Sequence, residues 1–146
     1  MLAAWHFGQW AYLDPAHDVP MRIREFAEER PGGCPQTFVA VFDGAPIGSA
    51  SLIEHDLSSR KDLSPWLASV FVLAEHRRRG VASALVDRVV CHAADFGVSA
   101  LYLFTPDQTA LYAGLGWERF DETILAGEVQ TMMRISPRDR VGPPAR

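Results

Sequence analysis

Several features are scarce in this sequence, and their scarcity excludes whole classes of protein. Only two cysteines occur among the 146 residues, Cys34 and Cys91, without a paired spacing. This pattern argues against a disulfide scaffold and a thiolate zinc site, and favours a reducing compartment. No run of 18 apolar residues is available to cross a bilayer, and the N-terminus has no signal-peptide pattern. We therefore expect a cytoplasmic protein without a membrane partner.

Strong net charge is also lacking. Fourteen Lys and Arg residues stand against 18 Asp and Glu residues, a net charge of −4, so we expect no sequence-independent affinity for nucleic acid. The five histidines show no metal-ligand spacing, and we expect no metal. With 48% hydrophobic and 22% charged residues, the chain has the composition of a folded domain rather than a disordered polypeptide.

The hydrophobic pattern predicts one domain over residues 1–136, containing a mixed sheet with one βαβ unit. Residues 54–64 are polar and predict a loop. Residues 137–146 lack periodicity and predict a disordered tail. The predicted elements, in order, are a helix over 21–30, strands over 37–42, 46–53 and 66–73, a helix over 79–96, a strand over 101–104, a helix over 109–115, and strands over 117–124 and 129–135.

A basic segment, His76–Ser83, lies between a predicted buried strand and the first turn of the longest helix. A helix N-terminus carries partial positive charge and unpaired N–H groups, so the segment's three arginines are unfavourable there unless an anion binds. Gly80 and Ala82 would let a ligand approach the backbone closely. The combination predicts a phosphate-binding loop, with a solvated basic turn as the alternative. It matches neither a Walker loop nor a dinucleotide fingerprint.

This segment resembles the acetyl-CoA signature of the GCN5-related N-acetyltransferases (GNAT), a strand followed by Gln/Arg-x-x-Gly-x-Gly/Ala at the head of a helix. Arg77, Gly80 and Ala82 occupy the three signature positions. The resemblance implies an α+β fold with flanking helices and a mixed, mostly antiparallel sheet, splayed at the acetyl-CoA site. The acetyl-CoA-binding residues that it implies are Val70, Phe71, Val72, Arg77, Arg78, Arg79, Gly80, Val81, Ala82, Ser83, Thr105 and Tyr112.

The resemblance covers residues 37–135 and includes a second segment, Leu103–Trp117. Tyr112 there matches the family residue that commonly protonates the departing CoA thiolate, so the resemblance implies a general acid; an amphipathic anchor is the alternative. Thr105 stands where the family usually has asparagine, which puts one cofactor hydrogen bond in doubt. Family members usually begin with a strand before the first helices. Only Met1–Ala3 is available for it, so that strand is either vestigial or missing from a sequence that starts late.

The reaction that the resemblance implies is direct transfer of an acetyl group from acetyl-CoA to a primary amine of a small molecule or a peptide. The attacking ammonium must first lose a proton. Some family members use a glutamate after the cofactor helix, but Ala100–Tyr102 offers none. The remaining candidates for the base are Glu54, His55 and Asp56 in the loop before Trp66, and Asp107 beside the cofactor cleft. Of these, Glu54 and His55 are favoured, with an ordinary exposed loop residue as the alternative for His55.

Two further questions stay open at the level of sequence. The phosphate-binding loop would serve equally in a catalytically silent acyl-CoA-binding sensor or scaffold. The identity of the amine acceptor and the oligomeric state, including a homodimer, are not fixed by any motif. Trp66 is expected in the core, with a place in the wall of the acceptor site as the alternative.

Overall fold

The computed structural model describes residues 33–141, so the helix predicted over 21–30 lies outside the described residues. Within them, six strands form one sheet flanked by helices. This arrangement confirms the predicted α+β class. The strands are β1 (Gln36–Phe42), β2 (Ala45–Ile53), β3 (Trp66–Val72), β4 (Leu101–Thr105), β5 (Glu118–Leu125) and β6 (Glu128–Ile135), and the α-helices are α1 (Val81–Asp95), α2 (Thr109–Gly114) and α3 (Pro137–Val141).

The strand order in the sheet is β1-β2-β3-β4-β6-β5. Strands β1 and β2 form the predicted hairpin, in which Asp43 and Gly44 both have positive φ angles, 50° and 75°. Two successive positive φ angles are what a tight hairpin turn requires. Strands β3 and β4 are the parallel pair, joined by α1, and the other neighbouring strands are antiparallel. The predicted βαβ unit is therefore confirmed.

The parallel strands β3 and β4 pair at one position and then diverge. Trp66 pairs with Tyr102, and no later residue of β3 pairs with β4 in the described part of the chain. On its other edge, β3 shifts register against β2 between Ser49 and Ser51, and Ser69 has a φ of 57°. Such a bulge bends a strand and increases its twist. The C-terminal ends of β3 and β4 therefore border an opening in the sheet.

Helix α1 packs its apolar side on one face of the sheet. Gly48 is tightly enclosed by the neighbouring strand and the helix, because a Cβ added there would lie 2.8 Å from the Phe71 carbonyl oxygen of β3 and 3.3 Å from Leu85 of α1. A larger residue would strain the pairing of β2 with β3 and crowd α1. The buried residues of this layer include Leu52, Leu67, Leu85, Val86, Val89, Val90, Leu101, Leu103 and Met133.

The opposite face of the sheet carries a second, smaller cluster. Leu57, Trp66 and Met132 are buried together, and the partly buried aromatic rings of Tyr102, Phe104 and Phe120 pack against them. Leu57 belongs to the polar loop predicted over residues 54–64, so this loop crosses the sheet face that α1 leaves uncovered.

The structure differs from the predicted disordered tail at residues 137–141, which form α3. Proline is favourable in the first turn of a helix, where its missing N–H is not needed, and Pro137 is buried. Helix α3 packs against α1. A helix of five residues is too short to show a hydrophobic period, so its packing against α1 could not be predicted from the sequence.

Residues 142–146 lie outside the described part. No helix among the described residues is long and apolar enough to span a membrane.

Candidate functional site

The N-terminus of α1 presents backbone N–H groups that no side chain of the described residues caps. Gly80 is the N-cap residue, with a left-handed φ of 79°. The first hydrogen bond of the helix runs from the Ala84 N–H to the Gly80 carbonyl at 3.0 Å. The N–H groups of the first three helical residues, Val81 to Ser83, therefore have no acceptor within the helix. A Cβ built on Gly80 would meet no atom of the described residues within 4 Å. Open space therefore lies directly before the helix.

The arginines around this terminus differ from one another in their contacts. Arg77 is tied to the end of β3: its Nε donates to the Val72 carbonyl at 2.9 Å, and its guanidinium lies 6.0 Å from the centroid of the Phe71 ring. Arg78 and Arg79 are exposed, and neither makes a salt bridge within residues 33–141. Both cations stand at the positive end of the helix dipole, where a bound anion would relieve their repulsion.

The far side of the opening is formed by the end of β4 and by α2. Thr105 is buried, and its Oγ1 accepts a hydrogen bond from the Gln108 N–H at 3.0 Å, which closes the turn into α2. Tyr112 is also buried, with its ring edge-to-face against Trp117 at 6.1 Å between centroids. Burial raises the pKa of Tyr112 to about 12, and the charge of Asp107 adds to the effect. Tyr112 is therefore a neutral phenol, able to donate, at physiological pH.

The raised pKa of Tyr112 predicts a loss of stability in alkali. The phenol titrates near pH 10 in an unfolded chain and near 12 in the folded protein, so its stabilisation is present below pH 10 and is lost as pH rises through 12. Two pKa units correspond to about 2.7 kcal/mol. We expect Tyr112→Phe to lose less stability than the unsubstituted chain over this interval, measured by denaturant unfolding. Parallel pH dependences of the two proteins would contradict this.

Glu54 and His55 lie at the other end of β3 from the basic loop. Both are exposed, and they follow Ile53, which pairs with Trp66 at the start of β3. The distance to Val72 is the length of β3, about 20 Å at the usual rise per residue of a strand. The structure thus brings Arg77–Ser83 together with Val72, and places Glu54 and His55 apart from them.

The loop that carries Glu54 and His55 is anchored to the far edge of the sheet. Arg60 donates from its terminal nitrogen to Asp121 Oδ2 on β5 at 2.9 Å, and binds both oxygens of Asp62 at 3.1 Å. Leu57 is buried beneath the loop with Trp66. No sequence signal links Arg60 to a residue 61 positions away, so sequence reasoning missed this anchor.

Trp66 is a core residue, as expected. It is fully buried, and its indole N–H donates to the Leu63 carbonyl at 2.8 Å. The centroid of its ring lies 5.8 Å from that of Tyr102 and 6.0 Å from that of Phe104.

A separate groove of about 590 Å³ lies near Tyr102, at the N-terminal end of β4, and includes the Arg134–Glu118 ion pair. This groove is not part of the opening, because the opening lies at the C-terminal ends of β3 and β4. Among the described residues no cluster of His, Cys, Asp and Glu could hold a metal ion.

Comparisons with known proteins agree with this geometry. The model of the acetyltransferase (GNAT) family matches residues 1–117. A search of curated proteins found no match. Similar solved structures include yncA, a putative acetyltransferase from Salmonella typhimurium solved with its cofactor acetyl-CoA, with a TM-score of 0.70 and 19% identity over 99% of this chain and 92% of that one.

Two other solved structures show the same fold. An aminoglycoside 6'-N-acetyltransferase complexed with coenzyme A has a TM-score of 0.69 and 15% identity, over 99% of this chain and 91% of its own. The ribosomal-protein-alanine N-acetyltransferase from Brucella melitensis has a TM-score of 0.67 and 19% identity, over 82% of this chain and 78% of its own. At such identities the likeness establishes the fold, and the fold implied by the sequence resemblance is confirmed.

Proposed function

The chain belongs to the acetyltransferase (GNAT) family, and we propose that it transfers an acetyl group from acetyl-CoA directly to a primary amine of a small molecule or a peptide. The observation that carries this proposal is the uncapped N-terminus of α1, where Gly80 leaves open space beside two exposed arginines. Two structures of the same fold hold acetyl-CoA or coenzyme A, which supports the same donor here.

We assign the phosphates of acetyl-CoA to the start of α1. The backbone N–H groups of Arg78 to Ser83 would bind the pyrophosphate, with the guanidinium groups of Arg78 and Arg79 beside it. The Arg77 side chain has a different task, since its Nε already holds the Val72 carbonyl at 2.9 Å. It fixes the loop relative to the end of β3. The pantetheine arm would then lie along the edge of β3 that β4 leaves free, at Val70, Phe71 and Val72.

Acetyl-CoA supplies an activated thioester carbonyl and a thiolate leaving group. The amine nitrogen bonds to the carbonyl carbon as the carbon–sulfur bond breaks, and the amine's proton passes to a base. Tyr112 would face the departing sulfur. A thiol has an ordinary pKa of about 8.5, whereas Tyr112 has a pKa of about 12. Tyr112 would therefore stabilise the sulfur mainly as a hydrogen-bond donor, and Thr105 would hold the turn that carries α2.

The base is proposed to be Glu54 or His55. Because they lie at the start of β3, about 20 Å from Val72, the proton would reach them through a chain of water molecules. We expect the double substitution Glu54→Gln/His55→Asn to lower kcat at least about tenfold at neutral pH. The loss should shrink as pH approaches the pKa of the amine, about 10, because the acceptor then deprotonates without help. The measurement is the pH dependence of kcat, with Glu128→Gln as the control for removal of an exposed acid. A profile unchanged by the double substitution would place the base elsewhere.

Calorimetric titration of the protein with acetyl-CoA tests the donor assignment, with ATP as the comparison. Micromolar binding of acetyl-CoA but not of ATP is expected, since both ligands carry phosphates and only one has a pantetheine arm to fill the opening. Absence of acetyl-CoA binding would overturn the proposal. Binding of acetyl-CoA without transfer to any amine would instead favour the acyl-CoA sensor.

A further inference from the structure

Gln130 on β6 is a fully buried amide whose hydrogen-bonding groups are unused. Its relative exposure is 0%, and neither Oε1 nor Nε2 has a hydrogen-bond partner within the described part of the chain. Burying an unpaired amide is unfavourable, and folded proteins leave few such groups. A polar group kept in this state at a binding site is one that a ligand can satisfy.

The position of Gln130 connects it to the opening in the sheet. Its neighbour Thr131 pairs with Thr105, the last residue of β4. Gln130 therefore lies just beyond the end of β4, at the end where β4 has diverged from β3. Side chains alternate along a strand, so Gln130 shares a face with Met132, which is buried with Leu57 and Trp66. This is the sheet face opposite α1, the one crossed by the loop that carries Glu54 and His55.

The two unpaired atoms specify the chemistry of a ligand. Oε1 can only accept and Nε2 can only donate, and the two lie side by side on one planar group. A carboxylate would satisfy the nitrogen alone, and an ammonium group the oxygen alone. A primary carboxamide has an N–H on the same side as its carbonyl oxygen, so it offers a donor and an acceptor in the matching arrangement and satisfies both. A trans peptide bond has its N–H and C=O on opposite sides and satisfies only one.

We propose that Gln130 binds a carboxamide group of the acceptor, so that the preferred substrates are amines with a neighbouring primary carboxamide. This inference rests on the proposed acetyl transfer and names the substrate class of that same site. The amide is covered in the free protein, so a ligand reaches it through a local opening of the surrounding side chains. Simple alkyl amines would bind without satisfying Gln130.

Two amines of similar size test the proposal: alaninamide, and sec-butylamine, which has an ethyl group in place of the carboxamide. The substitution Gln130→Met keeps the length of the side chain and removes both polar atoms. We expect it to lower the ratio of kcat/KM for alaninamide to that for sec-butylamine at least about tenfold. The two amines differ in pKa. This difference affects the kcat/KM ratio of both proteins equally, so it cancels when the ratio for Gln130→Met is compared with the ratio for the unsubstituted chain.

A second readout is thermal stability. Because Met removes two unpaired buried atoms, Gln130→Met should raise Tm by a few degrees while acetyl-CoA binds as before. The control is Gln36→Met on β1, at the opposite edge of the sheet, which should leave the substrate ratio unchanged. An unchanged ratio in Gln130→Met would overturn the inference, and a lowered Tm together with an unchanged ratio would make Gln130 a structural residue.

A titration without turnover separates this inference from the proposed function. Alaninamide is added to the protein with coenzyme A bound, and binding is followed by NMR. We expect Gln130→Met to bind alaninamide at least about tenfold more weakly than the unsubstituted chain. If acetyl-CoA binds but neither amine is acetylated, the proposed function fails while this titration still decides the role of Gln130. Equal binding by the two proteins would contradict the inference.

Discussion

Gly80→Trp is expected to weaken acetyl-CoA binding at least about a hundredfold, equivalent to roughly 2.7 kcal/mol. No atom of the described residues lies within 4 Å of a Cβ added at Gly80, so the new side chain starts in open space. It would occupy the volume assigned to the pyrophosphate and cover the N–H groups of Val81 to Ser83. The measurement is calorimetric titration with acetyl-CoA.

Gly127→Trp is a closely matched control. Gly127 has a φ of 77°, nearly that of Gly80 at 79°, and a Cβ added there likewise meets no atom within 4 Å in the described part of the chain. Both substitutions therefore impose the same backbone strain, but Gly127 lies in the β5–β6 turn, away from α1. If Gly80→Trp bound acetyl-CoA as well as Gly127→Trp does, the pyrophosphate would not be at the start of α1.

Tyr112→Phe is expected to lower kcat about a hundredfold, equivalent to roughly 2.7 kcal/mol, which is within the range for the loss of one hydrogen bond to a charged group. A thiolate is already a fair leaving group, so the loss should not be larger. Because Tyr112 has a pKa of about 12, the unsubstituted enzyme should show no decline in kcat from its ionisation at neutral or mildly alkaline pH. The affinity for acetyl-CoA should change little, because only the hydroxyl group is removed.

Tyr102→Phe controls for the loss of a phenol elsewhere. Tyr102 is partly buried on the sheet face opposite α1, where its ring packs against Trp66 and Phe120. We expect its substitution to leave kcat close to that of the unsubstituted protein. Equal kcat values for Tyr112→Phe and Tyr102→Phe would remove Tyr112 from the mechanism and leave it as the buried partner of Trp117.

Most of the fold could be predicted because its elements are set by local signals. The Asp43–Gly44 turn lies between two apolar strands, and both residues adopt the positive φ angles that such a turn needs. Gly97, predicted to end the long helix in a left-handed conformation, has a φ of 73°. The basic loop was equally visible, since its chemistry depends on consecutive residues at a helix start.

The features that escaped prediction are contacts between distant parts of the chain. The bond from Arg77 to Val72 depends on how the loop folds back on β3, and the anchor from Arg60 to Asp121 depends on a loop crossing three strands. In the sequence, Gln130 resembles any polar residue of an edge hairpin, and its burial becomes known only from the strand register of the folded sheet. Helix α3 is too short to show a period, and packing against α1 decides its existence.

Release of free CoA thiol from acetyl-CoA, measured with and without a panel of primary amines, tests the central claim most directly. The panel should contain simple alkyl amines, amino acids, aminoglycosides and short peptides with free N-termini. We predict thiol release that requires an amine, matches the acetylated amine mole for mole, and is lost in Gly80→Trp. Tight binding of acetyl-CoA with no amine-dependent release across the panel would contradict acetyl transfer and make the protein an acyl-CoA sensor.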